Sequence, residues 1–263
     1  MKVEDICSKE ILYVSTDSNL IDVLRLMEKK RVSRLLVKNS SGEFVGILTI
    51  RDVCQRLCDY FERKLSSSRI RVSSCYVKNI VKINKDEDIK KASEIMLEND
   101  ISSLVVVDNY NNVIGLVTKT DLVKTLLNDK RKIKDFVNKK VITVNLNNSL
   151  LHAKELMLKN NIKRLIVVDG ERVVGIITEG DVSIAMNNFR KMVESKKMDK
   201  RMKFLKVKDF MSRDLIIANV EDTIGNVVEK MLKNNISGMP VFDNGKLFGI
   251  ITKTDLVKAL LWQ

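Results

Sequence analysis

The chain is poor in the residues that build metal sites and disulfide frameworks. It has one histidine and four cysteines among 263 residues, and all four cysteines precede residue 76. Cys54 and Cys58 stand four residues apart on a predicted helix, a spacing that two metal ligands could share, but reduced thiols in a helix–helix contact explain them more simply. We therefore predict no metal site and no structural disulfides, as in a protein of a reducing compartment.

Long apolar runs and a secretory signal are also missing. No run approaches the roughly 18 apolar residues that a membrane-spanning helix needs, and the N-terminus lacks the basic-then-apolar order of a signal peptide. Apolar residues make up 44% of the chain, which is enough for a sizeable core, and the 31% of charged residues argues against a membrane chain. We expect a soluble, cytoplasmic protein that does not enter membranes.

Acidic residues are fewer than basic ones. The chain has 34 Asp and Glu and 47 Lys and Arg, which gives a net charge of +13. Residues 187–208 alone hold nine basic and two acidic residues, a local charge of +7. Apolar residues recur there at mostly helical spacing, which favours a connecting helix with solvated lysines. The alternative is a basic amphipathic helix that docks on nucleic acid, a membrane or a partner. No helix-turn-helix, zinc finger or aromatic stacking platform accompanies it.

What the chain does contain is one pattern repeated four times. Each copy has a helical stretch ending near a Met, a short apolar run, a turn, and a Gly–apolar–apolar–Thr–x–x–Asp sequence that opens another helix. The copies span 3–58, 76–127, 132–186 and 206–261. The glycines are Gly46, Gly115, Gly175 and Gly249, and the methionines, which we assign to the core, are Met27, Met96, Met157 and Met231.

The four copies alternate in detail. The second and fourth share Thr-Lys-Thr-Asp-Leu-Val-Lys, at 118–124 and 252–258, whereas the first and third share an Arg-Leu pair where the others have small residues. This alternation indicates that a two-repeat unit was duplicated. We therefore predict two domains, 1–130 and 131–263, with a basic linker over 187–205 inside the second.

The hydrophobic pattern within a copy predicts the order strand, helix, strand, strand, helix, an α/β (α+β) arrangement. In the third copy a β-rich run at 141–144 precedes a helix at 148–157, and Asp169-Gly170 forms the tight turn of a hairpin. Two helices on one face of so small a sheet leave apolar surface uncovered. We expect the repeats to pack in pairs.

This repeat, with its closing Gly–apolar–apolar–Thr–x–x–Asp, resembles the cystathionine-β-synthase-type (CBS) domain over nearly the whole chain. The resemblance implies that two repeats pack sheet to sheet as a pseudo-twofold module, the Bateman module. It also implies clefts that hold AMP, ADP, ATP, S-adenosylmethionine or a related adenosyl ligand, and it favours a homodimer. One departure concerns the proline that often opens the family's second strand. It is present only as Pro240, and its equivalents are Leu36, Val105 and Ile166.

The Thr-x-x-Asp element has two compatible interpretations. A Thr and an Asp three residues later form a helix cap. A helix N-terminus with free N–H groups also suits a phosphate, and a carboxylate can accept both hydroxyls of a ribose. The resemblance implies that the Asp binds ribose and that the Thr lies on the phosphate side. The residues are Thr49 with Asp52, Thr118 with Asp121, Thr178 with Asp181, and Thr252 with Asp255.

The copies differ around the expected adenine slot. The second and fourth have mostly small residues there, and a lysine after the Thr, Lys119 or Lys253, within reach of a phosphate. The first and third place Arg34 and Arg164 in the slot, where an arginine could narrow it or pair with phosphates. We favour the fourth site, then the second. The slot residues are Ile101, Ser102, Ser103, Ile236, Ser237, Gly238, Met239 and Pro240.

The sequence shows no nucleophile–base pair, metal cluster or glycine-rich phosphate loop, so we predict no catalytic residue and no enzyme. It favours a regulatory protein that binds an adenine nucleotide and transmits its occupancy to a protein partner. The alternative is a nucleic-acid-associated protein that uses 187–208 for phosphate contacts, with or without nucleotide control.

Overall fold

The structure is a computed structural model that describes residues 1–53, 55–56, 70–192 and 204–262, with the backbone alone over 186–192. Within these ranges the strands form four three-stranded sheets, one for each repeat. In every sheet the first strand pairs parallel with the second, and the second pairs antiparallel with the third. The α/β class and the β-α-β-β-α order predicted from the sequence are confirmed.

The four repeats have closely similar elements. The first contains β1 (Tyr13–Ser15), α1 (Leu20–Lys30), β2 (Arg34–Lys38) and β3 (Phe44–Thr49), followed by helical residues at 50–53 and 55–56. The second contains β4 (Lys82–Asn84), α2 (Ile89–Glu98), β5 (Ser103–Val107), β6 (Val113–Thr118) and α3 (Lys119–Lys124). The third contains β7 (Thr143–Asn145), α4 (Leu150–Lys159), β8 (Arg164–Asp169), β9 (Arg172–Thr178) and α5 (Glu179–Met192). The fourth contains β10 (Ala218–Asn219), α6 (Ile224–Lys233), β11 (Gly238–Asp243), β12 (Lys246–Thr252) and α7 (Lys253–Leu261).

Local sequence explains where these elements begin and turn. The first helix of each repeat starts at a polar residue whose side chain accepts a hydrogen bond from an N–H of the first turn. These N-caps are Asn19, Asp88, Ser149 and Thr223. The predicted turn in the third repeat is present, since Gly170 has a φ of 58° and Asp169 pairs with Arg172 across the hairpin.

Contacts divide the described chain into two compact units, each of which combines one repeat from either half of the sequence. They are the even unit, with residues 1–11, 81–141 and 215–263, and the odd unit, with residues 12–80 and 142–214. The even unit contains the second and fourth repeats, and the odd unit contains the first and third. These units differ from the domains 1–130 and 131–263 that the repeat similarity predicts, and the pairing of consecutive repeats stays a prediction.

Each unit has its own hydrophobic core, in which helices of its two repeats meet. In the even unit α7 packs on α2 and α3. Met96 and Met231 are fully buried in this core, and Met27 and Met157 are equally buried in the core of the odd unit. The prediction that these methionines are packing residues is confirmed. Apolar helix faces left uncovered by the small sheets explain why repeats combine in this way.

The segment that leads into a repeat packs on a different repeat. Residues 1–11 precede β1, the first strand of the first repeat, but belong to the even unit, and residues 70–80 precede β4, the first strand of the second repeat, but belong to the odd unit. In every repeat the leading segment forms a backbone bridge with the third strand of the repeat that receives it. The bridges are Ser8–Leu116, Val77–Ile47, Asn138–Ile250 and Ser212–Ile176. Consecutive repeats therefore exchange their leading segments.

This exchange explains the glycine in the Gly–apolar–apolar–Thr pattern. The leading segment crosses the third strand so closely that a Cβ on the glycine would strike a backbone carbonyl oxygen. The distance from such a Cβ to the oxygen is 2.5 Å at Gly46, 2.7 Å at Gly115, 2.8 Å at Gly175 and 2.7 Å at Gly249. The glycines are thus required by packing of the exchanged segments.

Candidate functional site

Each Thr-x-x-Asp element lies where the third strand of a repeat ends and its second helix begins. In the even unit, the backbone N and Oγ1 of Thr118 donate to Asp121 Oδ2 over 3.0 and 2.7 Å, and Asp121 N donates to Thr118 Oγ1 over 3.3 Å. Thr252 and Asp255 form the same three bonds, of 2.9, 2.6 and 3.4 Å. Both elements are closed capping boxes, as the sequence predicts.

The odd unit contains the same boxes. The three bonds measure 2.7, 2.7 and 3.4 Å between Thr49 and Asp52, and 2.8, 2.7 and 3.3 Å between Thr178 and Asp181. Burial raises the pKa of the Asp181 carboxyl above its ordinary value, although the hydrogen bonds from Thr178 act in the opposite direction. In all four boxes the Asp is held in place through one oxygen, Oδ2.

The hydrogen bonds of the box limit what the helix N-terminus can offer a ligand. In α3, Lys119 N donates to Ser102 O over 3.1 Å, and the N–H groups of Thr120 and Asp121 both donate to Thr118 Oγ1. The hydroxyl proton of Thr118 is already donated to Asp121. Free first-turn N–H groups, which the sequence argument assigned to a phosphate, are therefore not available in this box. The remaining acceptor is the second carboxylate oxygen, Oδ1.

The surroundings of Oδ1 differ between the two units. Asp121 Oδ1 lies 3.3 Å from Lys124 Nζ, and Asp255 Oδ1 lies 3.8 Å from Lys258 Nζ, one helical turn further on. The odd unit has a glutamine and an isoleucine at the corresponding positions. Within the described ranges, neither aspartate of the odd boxes takes part in an ion pair. The even boxes are thus partly neutralised by lysines that are more than half exposed.

The predicted slot residues lie directly across the strand pair from the box threonines. The cross-strand pairs are Ser103–Thr118, Gly238–Thr252, Arg34–Thr49 and Arg164–Thr178. Ser103 and Gly238 are buried and occupy little space, whereas Arg34 and Arg164 carry long, half-buried side chains. Of the remaining slot residues, Met239 and Pro240 are buried, Ile101, Ser102 and Ile236 are half-buried, and Ser237 is exposed. The structure therefore brings box and slot together within each repeat.

The two lysines that follow the even threonines lie in a contact between helices. Lys119 Nζ donates to Thr254 Oγ1 over 3.1 Å, and Lys253 Nζ donates to Thr120 Oγ1 over 3.0 Å. Their exposed fractions are only 6% and 9%. This reciprocal contact accounts for a lysine at both positions, and the phosphate contact predicted for them stays a prediction.

The odd unit has an ion pair at the equivalent contact, which sequence reasoning missed. Arg51 Nε donates to Glu179 Oε1 over 2.8 Å, and Arg51 Nη1 donates to Asn161 Oδ1 over 2.7 Å. Burial raises the pKa of Glu179, although the positive charge of Arg51 lowers it. The sequence did contain a signal for this ion pair: a basic residue, Arg51, closely follows Thr49, and an acidic residue, Glu179, directly follows Thr178.

The basic segment 187–208 falls mostly outside the described residues. The backbone of α5 continues to Met192, but the side chains of 186–203 are not described, and neither are Cys54 and Cys58. Among the described residues there is no group of three His, Cys, Asp or Glu side chains that could hold a metal. No helix in the described part of the chain is both long and apolar enough to cross a membrane.

Comparison with known families identifies the repeat. The model of the CBS domain matches residues 3–59, 72–128, 133–188 and 207–261. Since these matches cover most of the sequence, the chain belongs to the CBS domain family, and the recognition made from the Gly–apolar–apolar–Thr–x–x–Asp pattern is confirmed.

The chain is similar over its whole length to an uncharacterized protein, MJ1225 of Methanocaldococcus jannaschii. The two are 27% identical over 269 residues, which cover 95% of each chain. The crystal structure of MJ1225, described as a candidate archaeal homologue of g-AMPK, superposes with a TM-score of 0.88 at 25% identity and covers 99% of this chain and 100% of that one.

A match to an enzyme is confined to part of the sequence. The inosine-5'-monophosphate dehydrogenase of Methanocaldococcus jannaschii is 35% identical over 107 residues, which is 40% of this chain and 21% of the enzyme. CBS domains are in general regulatory, and this partial match carries no catalytic assignment to the chain.

Proposed function

We propose that this chain is a regulatory protein that binds an adenine nucleotide or a related adenosyl ligand at its Thr-x-x-Asp boxes. The observation that carries the proposal is the state of the four box aspartates. Each carboxylate is fixed through Oδ2 and keeps Oδ1 as a positioned acceptor. A carboxylate held in this way suits the two neighbouring hydroxyls of a ribose, which acidic residues bind in dinucleotide sites.

The even boxes are proposed to fill first. Ser103 and Gly238, across the strand pair from the even threonines, are small residues, whereas arginines with long side chains occupy the same position in the odd repeats. Lys124 and Lys258 lie beside the box carboxylates and are largely exposed, so they can move to a phosphate without losing buried contacts. AMP, ADP, ATP and S-adenosylmethionine all carry the required ribose.

Regulation requires that the ligand bind two arrangements of the protein with different affinity. The similarity to MJ1225 supports such a role. A protein partner, a homodimer and a cytoplasmic location belong to the same proposal. We also propose that the chain does not catalyse a reaction, because the box residues are committed to capping and form no nucleophile–base pair.

Calorimetric titration of the purified chain with AMP, ADP, ATP and S-adenosylmethionine tests the proposal. The informative variants are Asp255→Asn and Asp121→Asn. An asparagine can keep its oxygen in the Oδ2 position, where it accepts the bonds of the box, and places an amide donor where Oδ1 was. The matched control is Asp17→Asn, at an exposed aspartate in a turn outside the boxes.

The proposal predicts saturable binding by the wild type and by Asp17→Asn, and binding weakened at least about tenfold in Asp255→Asn, the loss expected when one hydrogen bond to a charged group is removed. Circular dichroism should show the wild type and all three variants folded. Absence of binding by a folded wild type that is free of co-purified nucleotide would overturn the proposal.

A further inference from the structure

An open cavity of about 480 Å³ lies in the even unit, between α6 and the residues that lead into β10. This volume is within the range of small-molecule sites in proteins. One wall consists of Leu215, Ile216 and Ile217, and the other is formed by polar side chains at the C-terminal end of α6. The lining includes no residue of a Thr-x-x-Asp box and no predicted slot residue. The cavity is therefore a separate candidate site in the fourth repeat.

A lysine beside this cavity replaces an apolar residue of the other repeats. Lys230 directly precedes the core methionine Met231 on α6. At the same place the other repeats have hydrocarbon side chains that are partly buried against their cores, Leu26, Ile95 and Leu156. The Lys230 amine instead donates to Asp222 Oδ2 over 2.8 Å and to Ile217 O over 3.2 Å. Because these bonds hold the side chain at one end of the cavity, the apolar wall stays accessible.

The accessible wall is more apolar than the same surface in the other repeats. Ile217, which precedes the buried residue of the first strand, is 46% exposed. The residues at its place in the other repeats each carry a polar atom, and they are Tyr13, Lys82 and Thr143. Removing exposed hydrocarbon surface from water is favourable. The wall therefore favours a ligand that has an apolar part.

The polar side of the cavity presents one charge of each sign. Glu229 and Lys233 line it, are exposed, and stand four residues apart, on the same face of α6. Neither takes part in an ion pair with any residue that the structure describes. Lys230 is neutralised by Asp222, so the charges around the cavity balance. This balance disfavours a polyanion such as a nucleotide and favours a ligand with one positive and one negative group.

We propose that this cavity binds an apolar α-amino acid in its zwitterionic form. The hydrocarbon side chain of the ligand covers the apolar wall, its ammonium group donates to Glu229, and its carboxylate accepts from Lys233. Asn234 Nδ2 donates to Lys230 O over 2.8 Å, which leaves the amide oxygen of Asn234 as a second acceptor for the ammonium group. The ligand differs in class from the adenosyl ligand of the boxes, because it carries neither ribose nor phosphate.

Methyl NMR of the full chain with isotopically labelled isoleucine methyl groups tests the proposal. The probes are L-leucine, L-methionine and L-phenylalanine, and at least one of them should shift the Ile217 methyl signal saturably. Isocaproate and isoamylamine, which keep the hydrocarbon of leucine and lack its ammonium or its carboxylate, should bind at least about fivefold more weakly than L-leucine. The proposal is overturned if no probe shifts the signal saturably, or if leucine and both analogues bind equally.

Variants place the binding in this cavity. Glu229→Gln and Lys233→Gln should each weaken binding of the amino acid about fivefold. Lys230→Leu, which restores the hydrocarbon side chain of the other repeats, should fill the cavity and abolish binding. Glu98→Gln, at the exposed residue that takes the place of Lys233 in the second repeat, is the matched control, and Asp255→Asn checks independence from the box. Both should bind as the wild type does, and unchanged binding in Lys230→Leu would contradict the proposal.

Discussion

The even and odd units are built from the same repeat, but their helix contacts use different chemistry. In the even unit two buried lysines donate to threonine hydroxyls in a reciprocal arrangement. In the odd unit an arginine meets a glutamate, and the corresponding second contact is absent because Gly180 has no side chain. The two residues that follow each threonine thus determine whether the contact between repeats consists of two reciprocal lysine–hydroxyl hydrogen bonds or of one ion pair.

The difference has consequences for stability. An ion pair that is largely withdrawn from water depends on both partners, because the loss of one leaves an uncompensated charge. A buried lysine that donates to a neutral hydroxyl can be replaced by an apolar residue of similar volume, which removes its charge and the desolvation penalty of that charge together. We therefore expect the odd contact to be sensitive to single substitutions and pH, and the even contact to be tolerant.

The largest effect is expected for Arg51→Met. Removal of the guanidinium leaves Glu179, 12% exposed, without its cation. Because Arg51 itself is 29% exposed, we expect a loss of about 2–3 kcal/mol in the free energy of unfolding at pH 8, at the lower end for buried pairs. Chemical denaturation measures it.

The pH dependence of this variant follows from the raised pKa of Glu179. Without Arg51 this pKa rises further, so the folded state binds a proton more tightly than the unfolded state does. Stability should then recover as pH falls below the folded pKa, and the difference from the wild type should shrink at pH 5. A loss that is the same at both pH values would contradict the ionic interpretation.

An intermediate effect on stability is expected when a glycine that is crossed by a leading segment is replaced by alanine. Gly115→Ala in the even unit and Gly175→Ala in the odd unit place a Cβ 2.7 and 2.8 Å from a backbone oxygen. Each should lower the free energy of unfolding by about 2 kcal/mol. Gly180→Ala is the control, because its Cβ would meet only Thr178 Oγ1 at 3.5 Å. If all three variants were equally stable, the leading segments would not cross the third strands closely at Gly115 and Gly175.

The smallest effect is expected for Lys253→Met. The amine is buried and donates to Thr120, but a methionine of similar volume removes the charge together with its desolvation. The free energy of unfolding should change by less than about 1 kcal/mol, measured by chemical denaturation. A loss as large as that of Arg51→Met would remove the distinction between the two units.

Sequence predicted the local features of this molecule well. The four repeats, their strand and helix order, the core methionines and the capping boxes all depend on residues within one helical turn or one hairpin of each other. The periodicity of apolar residues and the spacing of capping residues are sufficient to find such features.

Features that join distant residues were not predictable in the same way. The exchanged leading segments bring Ser8 to Leu116, and the helix contacts bring Lys119 to Thr254. A lysine that follows a threonine can donate to a phosphate or to a hydroxyl of another repeat. The spacing of residues in the sequence does not distinguish these two partners. Likewise, the free N–H groups assumed for the helix N-terminus are satisfied by the box itself and by Ser102 O, which only the folded backbone reveals.

The central claim is that a box carboxylate accepts the hydroxyls of a ribose. Calorimetric titration with AMP and with 2',3'-dideoxy-AMP, for the wild type and Asp255→Asn, tests it most directly. The account predicts that the dideoxy ligand binds the wild type at least about tenfold more weakly than AMP, and that Asp255→Asn abolishes this preference at the fourth repeat. Equal binding of the two ligands by the wild type would contradict it.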